Sequence, residues 1–417
     1  MQVFIVAVGS HGDVLPLLAM GSALRSRGHA VTLAAPAPFA AMAARAGLPF
    51  FALGTEADYR RVVAEPSLWR PWRGAWAMFR HVSALTEPTY HWLAGTVRPG
   101  ASVVLASTLA LGARVAQDKL GVSLATLHLM PLLVESRSDP PMLPGLPLPE
   151  WLPPRFRHWI GRGADRTVID PAALPPLNAF RARLGLPPVR RLRHWWSSPQ
   201  RVLLAFPDWY AAPQPDWPPQ AIQTGFPLAD RFGDRAELDP SVSAFLDVDA
   251  PPLAFTYGSA MGRAQDFFRT ALRLCARTGR RGILLAPQGG QVPGALPPNV
   301  LHLSYAPFSR LLPRCAALIH HGGIGTVAQA LAAGIPQLVV PVAFDHFDEA
   351  RRLHRLGLGT SVSRRRFTPG RAGGALDRLL ADPAVARACS AAKARMTGED
   401  GVGAACEAVE ALHPTAS

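Results

Sequence analysis

Apolar positions along the chain follow two rhythms that take turns. Short aliphatic and β-branched runs such as VFIVAVG (3–9), AVTLAAP (30–36) and SVVLAS (102–107) read as strands. Between them, LPLLAMGSALRSRG, FAAMAARAG and ALGARVAQDKLG space their apolar residues at the helical period and end on Gly, as helices do. This alternation predicts βαβ units around a parallel sheet, with ligands at the C-terminal ends of the strands. The same rhythm returns later as PPLAFTYGS, DFFRTALRLCARTG, RGILLAP, VLHLSYAP, AALIHHGG, TVAQALAAG and QLVVPV.

From Ser136 to Gln220 the texture changes. Pro and Trp crowd PPMLPGLPLPEWLPP and YAAPQPDWPPQ, which rules out continuous regular structure, although a helical insert is expected from about Arg155 to Leu184. A linker is placed at 213–222, near Pro213 to Gln220. It separates an N-terminal α/β domain (1–212) from a C-terminal one (223–417) whose last helix can return to the first. A chain of 417 residues fits two such cores.

Composition narrows the partners. Lys plus Arg number 43 against 29 Asp plus Glu, a net charge of +14 carried almost wholly by Arg, and such a field attracts anions: a nucleotide diphosphate, an anionic lipid surface or nucleic acid. No basic run is interleaved with aromatics as in a nucleic-acid module, so nucleic acid is set aside. Four scattered cysteines, without CxxC or Cys/His spacing, predict neither a zinc site nor disulfides and suit a reducing compartment. The opening MQVFIVAVGS reads as a first strand and not a leader, and Arg114, Asp118 and Lys119 interrupt the apolar stretch from Ser102 to Val134. The expectation is a cytoplasmic protein, with peripheral attachment to an inner membrane as an open alternative.

Candidate chemistry concentrates in Tyr305–Ala350. A strand ending at His320 meets a glycine turn and then a helix opening at Thr326, a geometry that offers backbone N–H groups and a positive dipole end to an anion. By itself, GGxGT describes many structural strand-to-helix turns. Its context is richer: Asp345-His346 lies at the end of the next strand, and Tyr305 precedes Ala306-Pro307, where a ring can stack on a base.

This segment resembles the donor-binding signature of family 1 glycosyltransferases. That resemblance implies the GT-B fold, α/β, with two Rossmann-like domains facing across a cleft. It further implies that Tyr305 and Ala306 hold the base, that His321, Gly323, Gly325 and Thr326 hold the diphosphate, and that Asp345-His346 takes the sugar hydroxyls. Where relatives carry an acid for the ribose hydroxyls this chain has Gln329, which suits a deoxyribose donor of the dTDP type. Thr256–Ser259 resembles the family's phosphate-reaching Gly-Ser, here Gly258 and Ser259. No DxD-like pair or ligand cluster points to a metal, so neither metal nor cofactor is expected beyond the nucleotide-sugar co-substrate.

The N-terminal GSHGDVLPLLAM resembles the bacterial branch of that family, in which the Asp of Gly-Asp-Val stands where other members have a catalytic His. The match implies Asp13 as general base and Gly12 beside it on the donor side; a carboxylate suits an acceptor hydroxyl that must lose its proton. A helix cap is the competing role for Asp13, and His11 is the competing base. A second Asp at a later strand end, which would complete a dyad, is not identifiable.

Trp69, Trp72, Trp76 and Phe79 recur at helical spacing, on a helix that Pro71 can start, flanked by Arg70, Arg73 and Arg80. They read as a packed core face, or as an acceptor wall or membrane-interface face. Over nearly the whole length the chain also resembles the rhamnosyltransferase subfamily of rhamnolipid biosynthesis, through GDV, Tyr59-Arg60-Arg61, ALGAR (110–114), DWP and TGFPL (216–228), GGIG (322–325) and Phe347-Asp348. That likeness implies dTDP-L-rhamnose as donor, a 3-(3-hydroxyalkanoyloxy)alkanoate (a hydroxy fatty acid dimer) as acceptor, and an acyltransferase A chain as functional partner. His321 departs from that subfamily, in which a Pro can follow the first His, so His320 can share the phosphate role. A polyketide, flavonoid or sterol acceptor with a UDP or dTDP hexose, and a non-catalytic nucleotide- or membrane-binding protein, are the competing functions.

Overall fold

The computed structural model describes residues 1–412 apart from 71, 147, 231–236, 249, 259–260, 262–263 and 288. The chain divides into two compact units, Met1–Pro227 with the segment from Asp400 onward, and Leu228–Glu399.

The first unit is built on β1 (Gln2–Val6), β2 (Ala30–Ala35), β3 (Phe50–Ala52), β4 (Ser102–Ser107), β5 (Ser123–His128), β6 (Arg201–Leu204) and β7 (Ala221–Gln223). Their order in the sheet is β3-β2-β1-β4-β5-β6-β7, with every pair parallel. Helices cover both faces, so β4 is buried along its length and reads as an unbroken apolar run.

In the second unit β8 (Leu253–Thr256), β9 (Gly282–Leu285), β10 (Val300–Leu303), β11 (Ala317–His320), β12 (Gln337–Val339) and β13 (Gly359–Ser361) line up as β10-β9-β8-β11-β12-β13, again parallel. Each sheet therefore reverses its winding once, between β1 and β4 in the first and between β8 and β11 in the second. At such a switch point the loops leave to opposite faces and open a crevice beyond the strand ends.

Three expectations are corrected. The segment 213–222 is not the boundary: its prolines stop regular structure, but Ala221–Gln223 then pairs with β6, and Gln223 Nε2 donates to Ala211 O at 3.0 Å, so the first unit continues to Pro227. The helix after the glycine turn starts at Ile324, not Thr326, because Gly323 takes the extended N-cap conformation (φ −64°, ψ 137°). The aromatic stripe is not one helical face either. Trp69 ends a 3₁₀ turn, Trp72 sits at φ +64° as N-cap, and the helix Arg73–Thr96 begins only after it. Phe79 is then wholly buried against Val82, Leu93 and Val104 while Trp76 is half exposed, and Pro71 lies outside the described residues.

The chain's last helix, Gly401–Glu410, packs on the first, His11–Ser26. Glu410 accepts from Arg27 Nη1 at 2.9 Å and pairs with His29 Nε2 at 2.7 Å. A Cβ at Gly401 would lie 2.6 Å from Phe226 O, so the returning chain crosses the outgoing one where no side chain fits. All four cysteines are buried free thiols whose pKa burial pushes up to about 11 or 12.

Candidate active site

Around the switch point of the second unit, β8 and β11 each end in a glycine turn. Gly258, after β8, holds φ +88°; Gly322, after β11, holds φ +105°. These are backbone shapes that L side chains rarely adopt. His321 fills the space between the turns: a Cβ at Gly258 would meet its Nε2 at 2.9 Å, and one at Gly323 at 2.6 Å. Its Nδ1 is buried without a hydrogen-bond partner among the described residues, and burial lowers its pKa to about 4, so the ring is neutral at pH 7. An orphaned buried nitrogen beside a helix N-terminus leaves hydrogen-bonding capacity for a ligand.

His320, one residue earlier, has the opposite fate. It closes β11 facing inward, pairs through Nε2 with Gln337 Oε1 at 3.0 Å, and accepts from Gly322 N at Nδ1. Both nitrogens are spent on holding the turn, so His320 supports the loop and does not reach a phosphate.

Gly323 caps the helix Ile324–Ala333; Gly325 is exposed in its first turn, Thr326 is half-buried and Gln329 is buried one turn on. Asp345 and His346, after β12, fold back on the same turn. Asp345 Oδ2 accepts from Ile324 N at 3.3 Å, His346 accepts at Nδ1 from the amides of Val342 and Ala343, and the His346 ring meets that of His321 edge-on at 4.7 Å. Phe344 is bent to φ +50° to aim Asp345 there, a strained conformation for a bulky residue. Tyr305 follows β10 with its ring 38% exposed and its hydroxyl donating to Asp230 O at 2.8 Å, while Ala306 is buried. Ser259 lies outside the described residues.

Asp13 occupies the equivalent place in the first unit, beyond β1 at the β1/β4 switch point. It is the third residue of the helix His11–Ser26 and closes a capping box: Ser10 N donates to Oδ2 at 2.8 Å and Ser10 Oγ at 3.2 Å. The cap proper is Ser10. A Cβ on Gly9 (φ +139°) would lie 2.3 Å from Asp13 Oδ2, so Gly9 leaves room for the carboxylate to fold back. Burial pushes the Asp13 pKa above its ordinary value against the pull of the Ser10 hydrogen bonds. Tyr59 lies close enough for that carboxylate, after burial, to help push its hydroxyl up to about 12. His11, the competing base, packs edge-on against Phe39 at 4.8 Å, and burial lowers its pKa, favouring the neutral ring. Gly12 is exposed in the first turn. At the end of β4, Ser107 Oγ accepts from Val8 N at 3.0 Å and ties the two sides of the switch point together.

Two parallel doubly wound sheets, each with a glycine turn and polar side chains at its switch point, are the parts of the GT-B fold. Residues 3–136 match the glycosyltransferase family 28 N-terminal domain and 283–408 the C-terminal domain of erythromycin biosynthesis protein CIII-like proteins. The O-mycaminosyltylonolide 6-deoxyallosyltransferase of Streptomyces fradiae is 31% identical, with 98% of this chain and 97% of that protein covered. The chain belongs to this family of glycosyltransferases. The same fold recurs in the glycosyltransferase of kitacinnamycin (TM-score 0.74, 22% identity, 99% of each chain) and in a spinosyn rhamnosyltransferase complexed with thymidine diphosphate (TM-score 0.70, 21%, 98% and 100%).

Gly9, Ser10, Phe344 and Asp230 were not singled out from sequence. A glycine's sign of φ, or a carboxylate's return to a cap, leaves no mark in a run of letters, although Ser-x-x-Asp before an apolar helix is a readable cap pattern. Gly258→Ala is expected to weaken nucleotide-sugar affinity at least about tenfold, because its Cβ would crowd the His321 ring at 2.9 Å from a backbone at φ +88°. Titration calorimetry of the variant against the parent protein checks this.

Proposed function

We propose that the protein transfers L-rhamnose from dTDP-L-rhamnose, with inversion, to a hydroxyl of a 3-(3-hydroxyalkanoyloxy)alkanoate. The observation that carries the donor half is the arrangement of Gly258, Gly322 and Gly323 about the unsatisfied His321 at the β8/β11 switch point. Backbone N–H groups at the start of Ile324–Ala333 and the His321 ring supply donors to the diphosphate, so charge on the leaving dTDP is neutralised by the chain itself.

Asp13 takes the acceptor's hydroxyl proton as that oxygen bonds the anomeric carbon and the bond from that carbon to dTDP breaks. Gln329, neutral where an acid would pair with ribose hydroxyls, supports the deoxyribose donor, as does the thymidine diphosphate held by the spinosyn enzyme of the same fold. The fatty acid dimer rests on the GDV, ALGAR, TGFPL and GGIG motifs.

A second reading, a polyketide acceptor, is favoured by the 31% identical transferase, whose acceptor is named as O-mycaminosyltylonolide. Mass spectrometry of products from dTDP-L-rhamnose, other dTDP hexoses and UDP hexoses against both acceptor classes decides. Rhamnosylated dimer is the expected product; product on the polyketide alone moves the assignment to the second reading, and no product from any pair leaves a nucleotide-binding protein. Calorimetry should show dTDP binding tighter than UDP.

A further inference from the structure

The helix Pro154–Ala164 is turned inside out relative to an ordinary surface helix. Its polar side faces the protein: His158 lies 3.4 Å and Arg162 3.9 Å from Glu135, and Arg157 Nε donates to Leu152 O at 3.2 Å. In the turn that follows, buried Asp165 pairs with Arg193 at 2.8 Å and with Arg191 at 3.5 Å. Its aromatic side faces solvent. Trp159 is 69% exposed and Phe156 49%, stacked at 6.0 Å, and Trp151 just ahead is 81% exposed.

Core-facing helices show the reverse, apolar side inward and charges outward. Ion pairs anchor this one by its polar face and leave the aromatic face to something else. Arg155, immediately before Phe156, and Arg166, seven residues after Trp159, are also exposed and flank the aromatics. From Trp151 to Ile169 the only acid is the buried Asp165; Glu150 stands just outside.

We infer that this face, Trp151, Arg155, Phe156, Trp159 and Arg166, docks the protein on an anionic bilayer. Tryptophan and phenylalanine enter the headgroup boundary, and the flanking guanidinium groups pair with lipid phosphates, drawn by the chain's net charge of +14. The membrane contact is thus assigned to this helix and not to the Trp69–Phe79 segment, whose Phe79 is spent in the core. No helix among the described residues is long and apolar enough to cross a membrane, so the contact is with the surface.

Co-sedimentation with vesicles of phosphatidylcholine alone, or mixed with phosphatidylglycerol, tests this without donor or acceptor, so its outcome is independent of the transferase assignment. The full chain should partition onto anionic vesicles at least about tenfold better than onto neutral ones, and less so as salt rises. Phe156→Ala with Trp159→Ala should lower partition about tenfold or more; Arg155→Glu with Arg166→Glu should erase the preference for phosphatidylglycerol. Unchanged far-UV circular dichroism and Tm show that both variants are folded. Equal partition of parent and variants overturns the inference, as does failure of the parent to bind anionic vesicles. So does a concentration-dependent dimer that Trp159→Ala disperses, which would make a second copy the occupant of this face.

Discussion

Asp13→Asn is expected to reduce turnover by about 10²- to 10⁴-fold, the range lost when a positioned general base is removed, while leaving dTDP affinity unchanged. The substitution suits the geometry. An Asn oxygen can still accept from Ser10 N, so the capping box that starts His11–Ser26 survives and only the basicity disappears. Because burial raises the Asp13 pKa, the parent's kcat/KM should be full above that raised value and fall as pH drops through it; the variant's residual rate should lose this acid limb.

The stability sign runs the other way. A carboxyl whose pKa is raised by folding stabilises the fold below its unfolded pKa, and that stability is lost as pH rises through the folded value. Above that folded value the Asp13 carboxylate therefore costs stability, and there Asp13→Asn should raise Tm slightly or leave it alone. A variant slower by orders of magnitude yet no less stable marks a group kept for chemistry. Unchanged turnover would reduce Asp13 to a partner of the helix cap.

Acid should unfold the second unit steeply. Burial lowers the pKa of His320 to about 3 and of His321 to about 4, and holds His346 well below its ordinary 6.5, so all three rings are neutral in the folded unit. Once unfolded they bind protons below about pH 6.5. The stability is complete above that pH and declines as pH falls toward 4, by about 1.4 kcal/mol per pH unit for each histidine. Urea unfolding at pH 7, 6 and 5 measures the slope, and His320→Gln should lower it by about one histidine's share. A slope untouched by that substitution would mean that the ring is not held neutral as the structure describes.

Both results depend on details that were only partly legible beforehand. The alternation of strand-like and helix-like runs foretold two parallel sheets, because period and end signals are local properties of the backbone. The glycines at 258, 322, 323 and 325 marked the turns after β8 and β11 for the same reason. By contrast, β3, β7 and β13 are too short to show a period, and β7 follows a proline-rich stretch that imitates a linker until its pairing with β6 is seen. Trp69 to Phe79 kept helical spacing across a backbone that is not helical at Trp72, so spacing alone joined residues that solvent and core divide between them.

The sequence by itself determined two parallel α/β sheets and the neighbourhood of each candidate site, since both follow from periodicity and from residues with special backbone freedom, while the GT-B expectation came from the family resemblance. Only the tertiary structure decided between adjacent histidines. His320 ends a strand with its side chain turned into the unit, where Gln337 meets it; His321 begins the turn and is left with an unsatisfied nitrogen between two glycines. Neighbours on an extended chain point to opposite sides, and which side is core is settled by strands that lie far away in sequence.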